Sequence, residues 1–369
     1  MDLTEALRLE LHAGAAEVVA LVGGGGKSST LFRLAAEAAA RRRRAIATTT
    51  TQIGAAETAA APVVVEVGNG ALPLEALARA LEAHSWCLAV GPVQGEKRSG
   101  LAPAQVDELA AQAGRLELAL IAVEADGSRK LPLKAPAAHE PVIPASATLV
   151  VPVAGVDAVG RAVVAGQIHR PEQVQAALGL EAGARLAPAQ VARLMLHPEG
   201  GDKGRPPGVR RVALLNKVER PEQEALARLI AARWVAAGAA GVIAAVGGER
   251  QPPVLERWAP LAVVVLAAGQ ASRMGRAKQL LPVEGVSMVR RAVRTALASG
   301  SQQVALVTGA YAAEIADEVA NEAAAAGGPR LTLVHNPEWA TGQASSMRAG
   351  LAALAPAVEA VIFLPVDQP

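Results

Sequence analysis

The chain has 369 residues, 36 Lys+Arg against 34 Asp+Glu, and a formal net charge of +2. That length suits about two domains. An apolar fraction of 51% excludes wholesale disorder, and 2% aromatics exclude a base-stacking platform for nucleic acid. The near-neutral balance also speaks against nucleic acid or an anionic membrane as a partner. The four arginines 41–44 are expected to be a solvated helix end. Cys87 is the only cysteine and sits in a strand-like run, so it is expected to be a buried, inert thiol. No signal-peptide pattern opens the chain and no apolar stretch is long enough to span a bilayer, which makes the cytoplasm the expected location.

Strands are predicted at residues 18–22, 45–48, 63–67, 86–90, 118–124, 149–153, 212–215 and 242–245. Helices at 28–40, 103–113 and 221–237 fall between them. Continuous apolar strands alternating with helices predict an α/β domain whose parallel sheet is covered on both faces. The Pro/Gly cluster at 200–208 is expected to be a surface loop, and the one at 247–253 a domain boundary. The rhythm then restarts with a strand at 263–266, a helix near 287–298 and strands at 303–308, 331–335 and 360–364. Two α/β domains are expected, 1–250 and 258–369.

The first strand runs into Gly23, Gly24, Gly25, Gly26, Lys27, Ser28 and Ser29, ahead of a helix. Glycines let backbone N–H groups turn inward around a phosphate, and a helix N-terminus adds donors and a favourable dipole. Lys27 would neutralise the outer phosphates and Ser28 would place a hydroxyl on Mg²⁺. The standard Gly-x-x-x-x-Gly-Lys-Ser/Thr spacing would put the first glycine at Leu21, so this loop is closer to the shorter Gly-x-x-Gly-Lys-Ser/Thr loop of Mur-ligase-like ATP enzymes. Thr48, Thr49, Thr50 and Thr51 close the next strand at its carboxyl end, where such sheets bind ligands. Glu124 and Asp126 end the most apolar strand, and Asp126 is the candidate carboxylate for Mg²⁺. Asn216-Lys217-Val218-Glu219 is similar to the Asn-Lys-x-Asp guanine reader of GTPases; Glu in place of Asp leaves ATP and GTP both open. The bland alternatives are a glycine-rich turn, a threonine-rich turn and a solvated acid.

Taken together, the Gly-Lys-Ser-Ser loop, the threonine run, Glu124-Ala125-Asp126-Gly127-Ser128-Arg129, Lys134-Ala135-Pro136, His139-Glu140-Pro141 and Ile168-His169-Arg170-Pro171 resemble the selenium-dependent molybdenum hydroxylase accessory protein family. The resemblance covers about residues 10–250. It implies a P-loop-like domain with a nucleotide-dependent accessory role in cofactor maturation, serving a molybdenum hydroxylase client. His139, His169 and Arg170 are then either substrate contacts or ordinary capping and surface residues.

After the strand at 263–266, Leu266, Ala267, Ala268 and Gly269 open a second glycine-containing turn that continues through Arg273, Gly275 and Lys278. Gly269 and Gly275 would let amides approach a triphosphate. Arg273 can grip phosphate oxygens with its planar fork, and Lys278 supplies a point charge for a pyrophosphate leaving group. This stretch resembles the MobA-like nucleotidyltransferases that finish molybdenum cofactors, and Ala267-Ala268-Gly269 resembles their cytidylyl version. The Ala268 methyl would narrow the base pocket toward a pyrimidine, while Ala271 departs from a common Ser. Ser345 and Ser346, placed ahead of a helix, would offer hydroxyls to base or phosphate, and Trp339 is expected to pack. Asp367, in an Asp-Gln-Pro ending, is the candidate Mg²⁺ ligand.

That resemblance covers about 263–369, roughly the first half of the catalytic domain it matches. A Rossmann-like nucleotidyltransferase domain that is incomplete is therefore expected. It implies transfer of CMP from Mg-CTP to a molybdopterin-type cofactor with release of pyrophosphate, beside a first domain that binds ATP or GTP. Two other readings stay open: a nucleotide-regulated cofactor chaperone with an inert second domain, and a sugar-phosphate nucleotidyltransferase.

Overall fold

The structure, a computed structural model, describes residues 1–270, 277–326 and 330–367. It divides into two units, Met1–Trp234 with Ala240–Trp258, and Val235–Ala239 with Ala259–Pro369.

Strands buried at every position, such as Leu118–Glu124 and Leu149–Gly155, need cover on both faces and so belong in the middle of a sheet. The first unit supplies that cover. Its strands are β1 (Glu17–Gly23), β2 (Arg44–Thr49), β3 (Val64–Glu66), β4 (Trp86–Val90), β5 (Leu118–Glu124), β6 (Leu149–Gly155), β7 (Arg210–Asn216), β8 (Ala240–Ala244) and β9 (Val254–Trp258). They form one nine-stranded sheet in the order β9-β8-β7-β6-β1-β5-β2-β4-β3. All neighbours are parallel except the last pair, where β9 runs antiparallel to β8. The chain leaves β1 toward β2 on one side and later fills β6 on the other. The strand order therefore reverses beside β1, which is where open α/β sheets bind ligands.

Helix α1 (Lys27–Ala40) follows β1 directly and buries Leu31, Leu34, Ala35 and Ala38. Its alanines let the helix lie close to the sheet. Gly241 on β8 serves the same purpose, because a Cβ there would lie 2.2 Å from the ring of the buried Trp234. Short strands Gln52–Gly54, Val93–Gln94 and Lys97–Ser99 make a small separate antiparallel sheet.

The second unit has a four-stranded parallel sheet of β10 (Leu261–Leu266), β11 (Gln303–Thr308), β12 (Leu331–His335) and β13 (Ala360–Pro365), ordered β12-β11-β10-β13. Helix α2 (Met288–Ala298) covers one face, with Val289, Val293 and Ala296 joining Val263, Val265 and Leu306 in one core. The N-cap Ser287 hydroxyl accepts from the Arg290 N–H at 3.3 Å, satisfying one open donor of α2. Helix α3 (Gln343–Ala352) lies against the other face so closely that a Cβ on Gly350 would stand 2.4 Å from Val264. Both units are α/β folds built on parallel sheets. Among the described residues, no helix is long and apolar enough to cross a membrane.

Candidate functional site

The turn from β1 to α1 is held by its neighbours rather than open. Gly23 N–H donates to both carboxylate oxygens of Asp126 at 3.0 and 3.1 Å. Gly24 N–H donates to Val153 O at 2.9 Å and Gly25 N–H to Leu131 O at 3.0 Å. These three amides, expected to surround a phosphate, are thus engaged by the protein itself. The donors left to a ligand lie one step further on, at the start of α1. There Gly26 is the N-cap, with φ of 115° and no capping side chain. Ser28 and Ser29 face a cleft at that end.

Lys27 also departs from expectation. Its side chain is 1% exposed, with Nζ 2.6 Å from Gly23 O, 3.3 Å from Asp126 Oδ1 and 3.6 Å from Glu124 Oε1. Two carboxylates draw the ammonium under the loop instead of over it. Asp126, expected to hold Mg²⁺, has both oxygens occupied by the Gly23 amide, Lys27 and Lys134. It is a loop clamp and does not fit a metal ligand as placed. Of the two, it is Glu124 that faces the cleft, accepting from Ser28 Oγ at 2.9 Å. Burial pushes the Glu124 carboxyl up, while Lys27 and Ser28 pull the other way. The Ser28–Glu124 pair, rather than Asp126, fits a hydrated Mg²⁺, an ion that keeps several waters beside one or two carboxylates.

Ion pairs continue inward from Asp126. Lys134, fully buried, donates to Glu140 at 2.7 Å, and Glu140 in turn receives both terminal nitrogens of Arg170. Burial alone would raise the Glu140 carboxyl, but the hydrogen bonds from Arg170 and Lys134 outweigh it and hold it at about 2. His169 beside them is depressed to about 4 by burial and then by the cations of Lys134, Arg170 and Arg129. Sequence reasoning named Arg170 and His169 but missed Lys134 and Glu140 as a buried relay. The one available signal was their place within the family motifs.

The threonine run is mostly structural. Thr48, Thr49 and Thr50 hydroxyls donate to Ala89 O, Glu124 O and Val142 O at 2.7–2.8 Å, and of the four only Thr51 lines the cleft. Asn216 is also occupied. Its Nδ2 donates to Gly25 O at 3.0 Å, and its Oδ1 accepts from Lys217 and Val246 N–H, both at 2.7 Å. It ties the glycine loop to the ends of β7 and β8. Lys217 beside it has φ of 62°, a conformation rare for a residue with a side chain, and borders a cavity of about 380 Å³ with Gly26, Ser29, Asp157 and Glu219.

In the second unit the Leu266–Gly269 turn leaves the carboxyl end of β10. Gln279, 3% exposed, donates through Nε2 to Ala267 O at 3.0 Å and Gly269 O at 2.5 Å. This clamp was not foreseen, although the residue stands next to Lys278. Lys278 and Asp367 meet at 3.1 Å with side chains 38% and 45% exposed, so a cation and a carboxylate share one mouth of the sheet. Arg273 and Gly275 lie outside the described residues. Ser345 and Ser346 are placed otherwise than expected. They lie inside α3, about 5% exposed, and their hydroxyls accept from Asn336 Nδ2 at 2.9 and 3.0 Å. They tie the first turns of the helix to Asn336, and Ser345 also donates to Glu338 O and Gly342 O. Trp339 packs against the Val264–Val307 core as expected.

Fold and site together define two α/β units, each with a glycine-bearing turn and charged groups at the carboxyl ends of parallel strands. Comparison with known families gives each unit its own relationship. Residues 19–172 match the family described as YqeC protein, and residues 263–369 match the MobA-like NTP transferase domain. The chain thus carries a YqeC-family domain followed by a MobA-like NTP transferase domain, as the two sequence resemblances implied. One relative is the uncharacterized protein YqeC of Escherichia coli, 39% identical over 139 residues, 38% of this chain and 51% of the relative. The molybdenum cofactor cytidylyltransferase of Escherichia coli is 33% identical over 91 residues, 25% of this chain and 44% of that protein. Nicotine blue oxidoreductase of Paenarthrobacter nicotinovorans is 37% identical over 107 residues, 29% of this chain and 48% of that protein. Among solved structures, a nucleotidyl transferase from Methanothermobacter thermautotroptrophicus is 25% identical, covering 30% of this chain and 51% of that one with a TM-score of 0.26. The chain spans about half the length of the curated relatives it matches.

Proposed function

We propose that the second unit transfers CMP from CTP to a molybdopterin-type cofactor, and that the first unit binds ATP or GTP for an accessory step on that cofactor or its molybdenum hydroxylase client. The observation that carries the transferase reading is the Lys278–Asp367 pair beside the Gln279-clamped turn, in a segment similar to a molybdenum cofactor cytidylyltransferase. In the reaction a terminal phosphate oxygen of the cofactor attacks the α-phosphorus of CTP. The bond to the bridging oxygen breaks and pyrophosphate leaves. Lys278 holds the departing phosphates, and Gln279 keeps the turn in position for the nucleotide. Such transfer relies on positioning and charge neutralisation rather than on a covalent intermediate.

Asp367 fits a Mg²⁺ ligand, since it is a half-exposed carboxylate and Mg²⁺ is commonly held by one or two carboxylates plus substrate phosphates. Bound there, the ion would supply charge neutralisation at the phosphates. In the first unit, the start of α1 and Ser28 would receive the phosphates, Glu124 would hold a hydrated Mg²⁺ beside them, and the cavity beside Lys217 would receive the base.

Pyrophosphate release tests the transferase reading, with CTP, ATP or GTP offered beside a molybdopterin-type acceptor. Release is expected with CTP, and Lys278→Ala should lower kcat/KM by about 10²–10³, the usual loss for a group stabilising transition-state charge. Release with a sugar phosphate as acceptor would move the assignment to sugar-phosphate nucleotidyl transfer. The chaperone reading has one observation in its favour, the enclosure of Lys27, and it requires nucleotide binding by the full chain with no transfer at all.

A further inference from the structure

We propose that the end of the large cleft walled by Arg129, His169 and Arg170 is a second anion subsite in the first unit, taking a phosphate monoester group of the molecule on which that unit acts. Its role as an acceptor site rests on the nucleotide reading of the first unit; the anion subsite itself does not.

Room is the first support. The cleft measures about 1480 Å³, beyond the roughly 300–1,000 Å³ of a site for one small ligand. The separate 380 Å³ cavity shares Gly26, Ser29 and Lys217 with it. A nucleotide with its base in the small cavity and its phosphates at the start of α1 would fill only part of that volume.

The wall formed by Arg129, His169 and Arg170 is built for an anion. Glu140 takes both terminal nitrogens of Arg170, which fixes the guanidinium plane, and Lys134 holds Glu140 from behind. The guanidinium N–H donors that Glu140 does not take are thereby held in one plane, and a fixed donor loses less freedom on binding a phosphate than a mobile one. Arg129 is exposed and makes no ion pair with any described residue. At this wall Arg129, Arg170 and the buried Lys134 stand against Glu140 and Asp126, an excess of positive charge that suits an anion. The backbone carries a cost at the same place: Arg129, Lys130 and Arg170 have φ of 48°, 61° and 56°, and held strain of this kind gathers at ligand clamps. His169 fits the same picture. It is held neutral by burial and by Lys134, Arg170 and Arg129, with Glu140 opposing, so an arriving dianion would relieve it.

The test titrates inorganic phosphate into the full chain and follows the His169 and His139 side chains by NMR, without and with saturating MgATP. The His169 signals should shift to saturation in both conditions, and its pKa should rise by a unit or more from about 4. Arg129→Glu should weaken phosphate binding about tenfold or more, the effect of losing a charged hydrogen bond, and leave MgATP binding within about twofold. Arg129 is exposed, so the variant is expected to fold. Displacement of phosphate by MgATP, indifference to Arg129→Glu, or no shift at millimolar phosphate would each overturn the subsite. Phosphate binding at His169 in a chain that takes no MgATP would instead sink the nucleotide reading and leave the subsite standing.

Discussion

The two glycine-bearing turns use the same residue types for different ends. In the first, glycine is demanded by the protein's own backbone: a Cβ on Gly25 would lie 2.0 Å from the Gly155 nitrogen, at a φ of 78°. In the second, a Cβ on Gly269 meets nothing within 4 Å among the described residues. Charge follows the same division. Lys27 and Asp126 are each 1% exposed and neutralise one another inside, whereas Lys278 and Asp367 pair at the surface. A buried network fixes a shape; an exposed pair can exchange its partner for a substrate. The sequence pattern of glycine, lysine and carboxylate is common to both, so the pattern alone does not tell the two designs apart.

The largest effects should fall on the first loop. Gly25→Ala forces a methyl onto backbone atoms that cannot yield and adds strain at positive φ. Loss of more than about 4 kcal/mol is expected, in the range reserved for severe backbone or core damage. Denaturation in urea followed by circular dichroism would show it, and a wild-type midpoint would break the comparison. Asp126→Asn comes next. It leaves Lys27 and Lys134 buried with half their neutralising charge removed, for a cost of about 3–5 kcal/mol. The matching Asp367→Asn disrupts an exposed pair and should cost less than about 1 kcal/mol, yet depress pyrophosphate release strongly. Equal destabilisation by the two changes would erase the distinction.

A smaller effect appears with pH. Glu140 is held at about 2 against an ordinary 4.5, so its contribution is complete above 4.5 and is lost as pH falls toward 2. His169, at about 4 against 6.5, takes up its proton later in the folded chain than in the unfolded one. Stability therefore also falls as pH drops from 6.5 to 4, because the unfolded chain binds the proton first. Glu124, raised by burial, acts in the opposite sense, losing its contribution as pH rises. Urea midpoints across pH 4 to 6.5 should flatten in His169→Gln, and an unchanged slope would remove His169 from the account.

Much of the framework was legible because apolar runs bounded by Gly, Pro or charge admit few alternatives. The strands Leu118–Glu124, Gln303–Thr308 and Leu331–His335 coincide with the expected ones. Strand Val254–Trp258 was missed because it follows Pro252 and Pro253 and reads Val-Leu-Glu-Arg-Trp, which is neither a continuous apolar run nor a period-2 alternation; it is an edge strand with four of its five residues half-buried. The small sheet around Val93 and Lys97 is too short and too polar to carry a period. Within the sites, the residue types were legible and their orientation was not. Nothing local reveals that Asp126 faces inward, since Lys134 reaches it from an irregular segment with no strand or helix period. Ser345 and Ser346 misled for a similar reason. Their partner Asn336 returns across nine and ten residues, and the helix begins before them rather than after.

The smallest structural effect is the most informative one. Gly269→Ala adds a methyl that touches no described atom, at a position whose φ is not in the left-handed region. Stability should stay within about 0.5 kcal/mol of the parent, as for a substitution that disturbs no packing. A glycine with no packing reason among the described residues points to close approach of something to its backbone. If that something is a nucleotide, Gly269→Ala raises KM for CTP several-fold while the thermal midpoint holds. A lowered midpoint with unchanged CTP binding would show that the second glycine, like those of the first loop, answers to the protein's own packing.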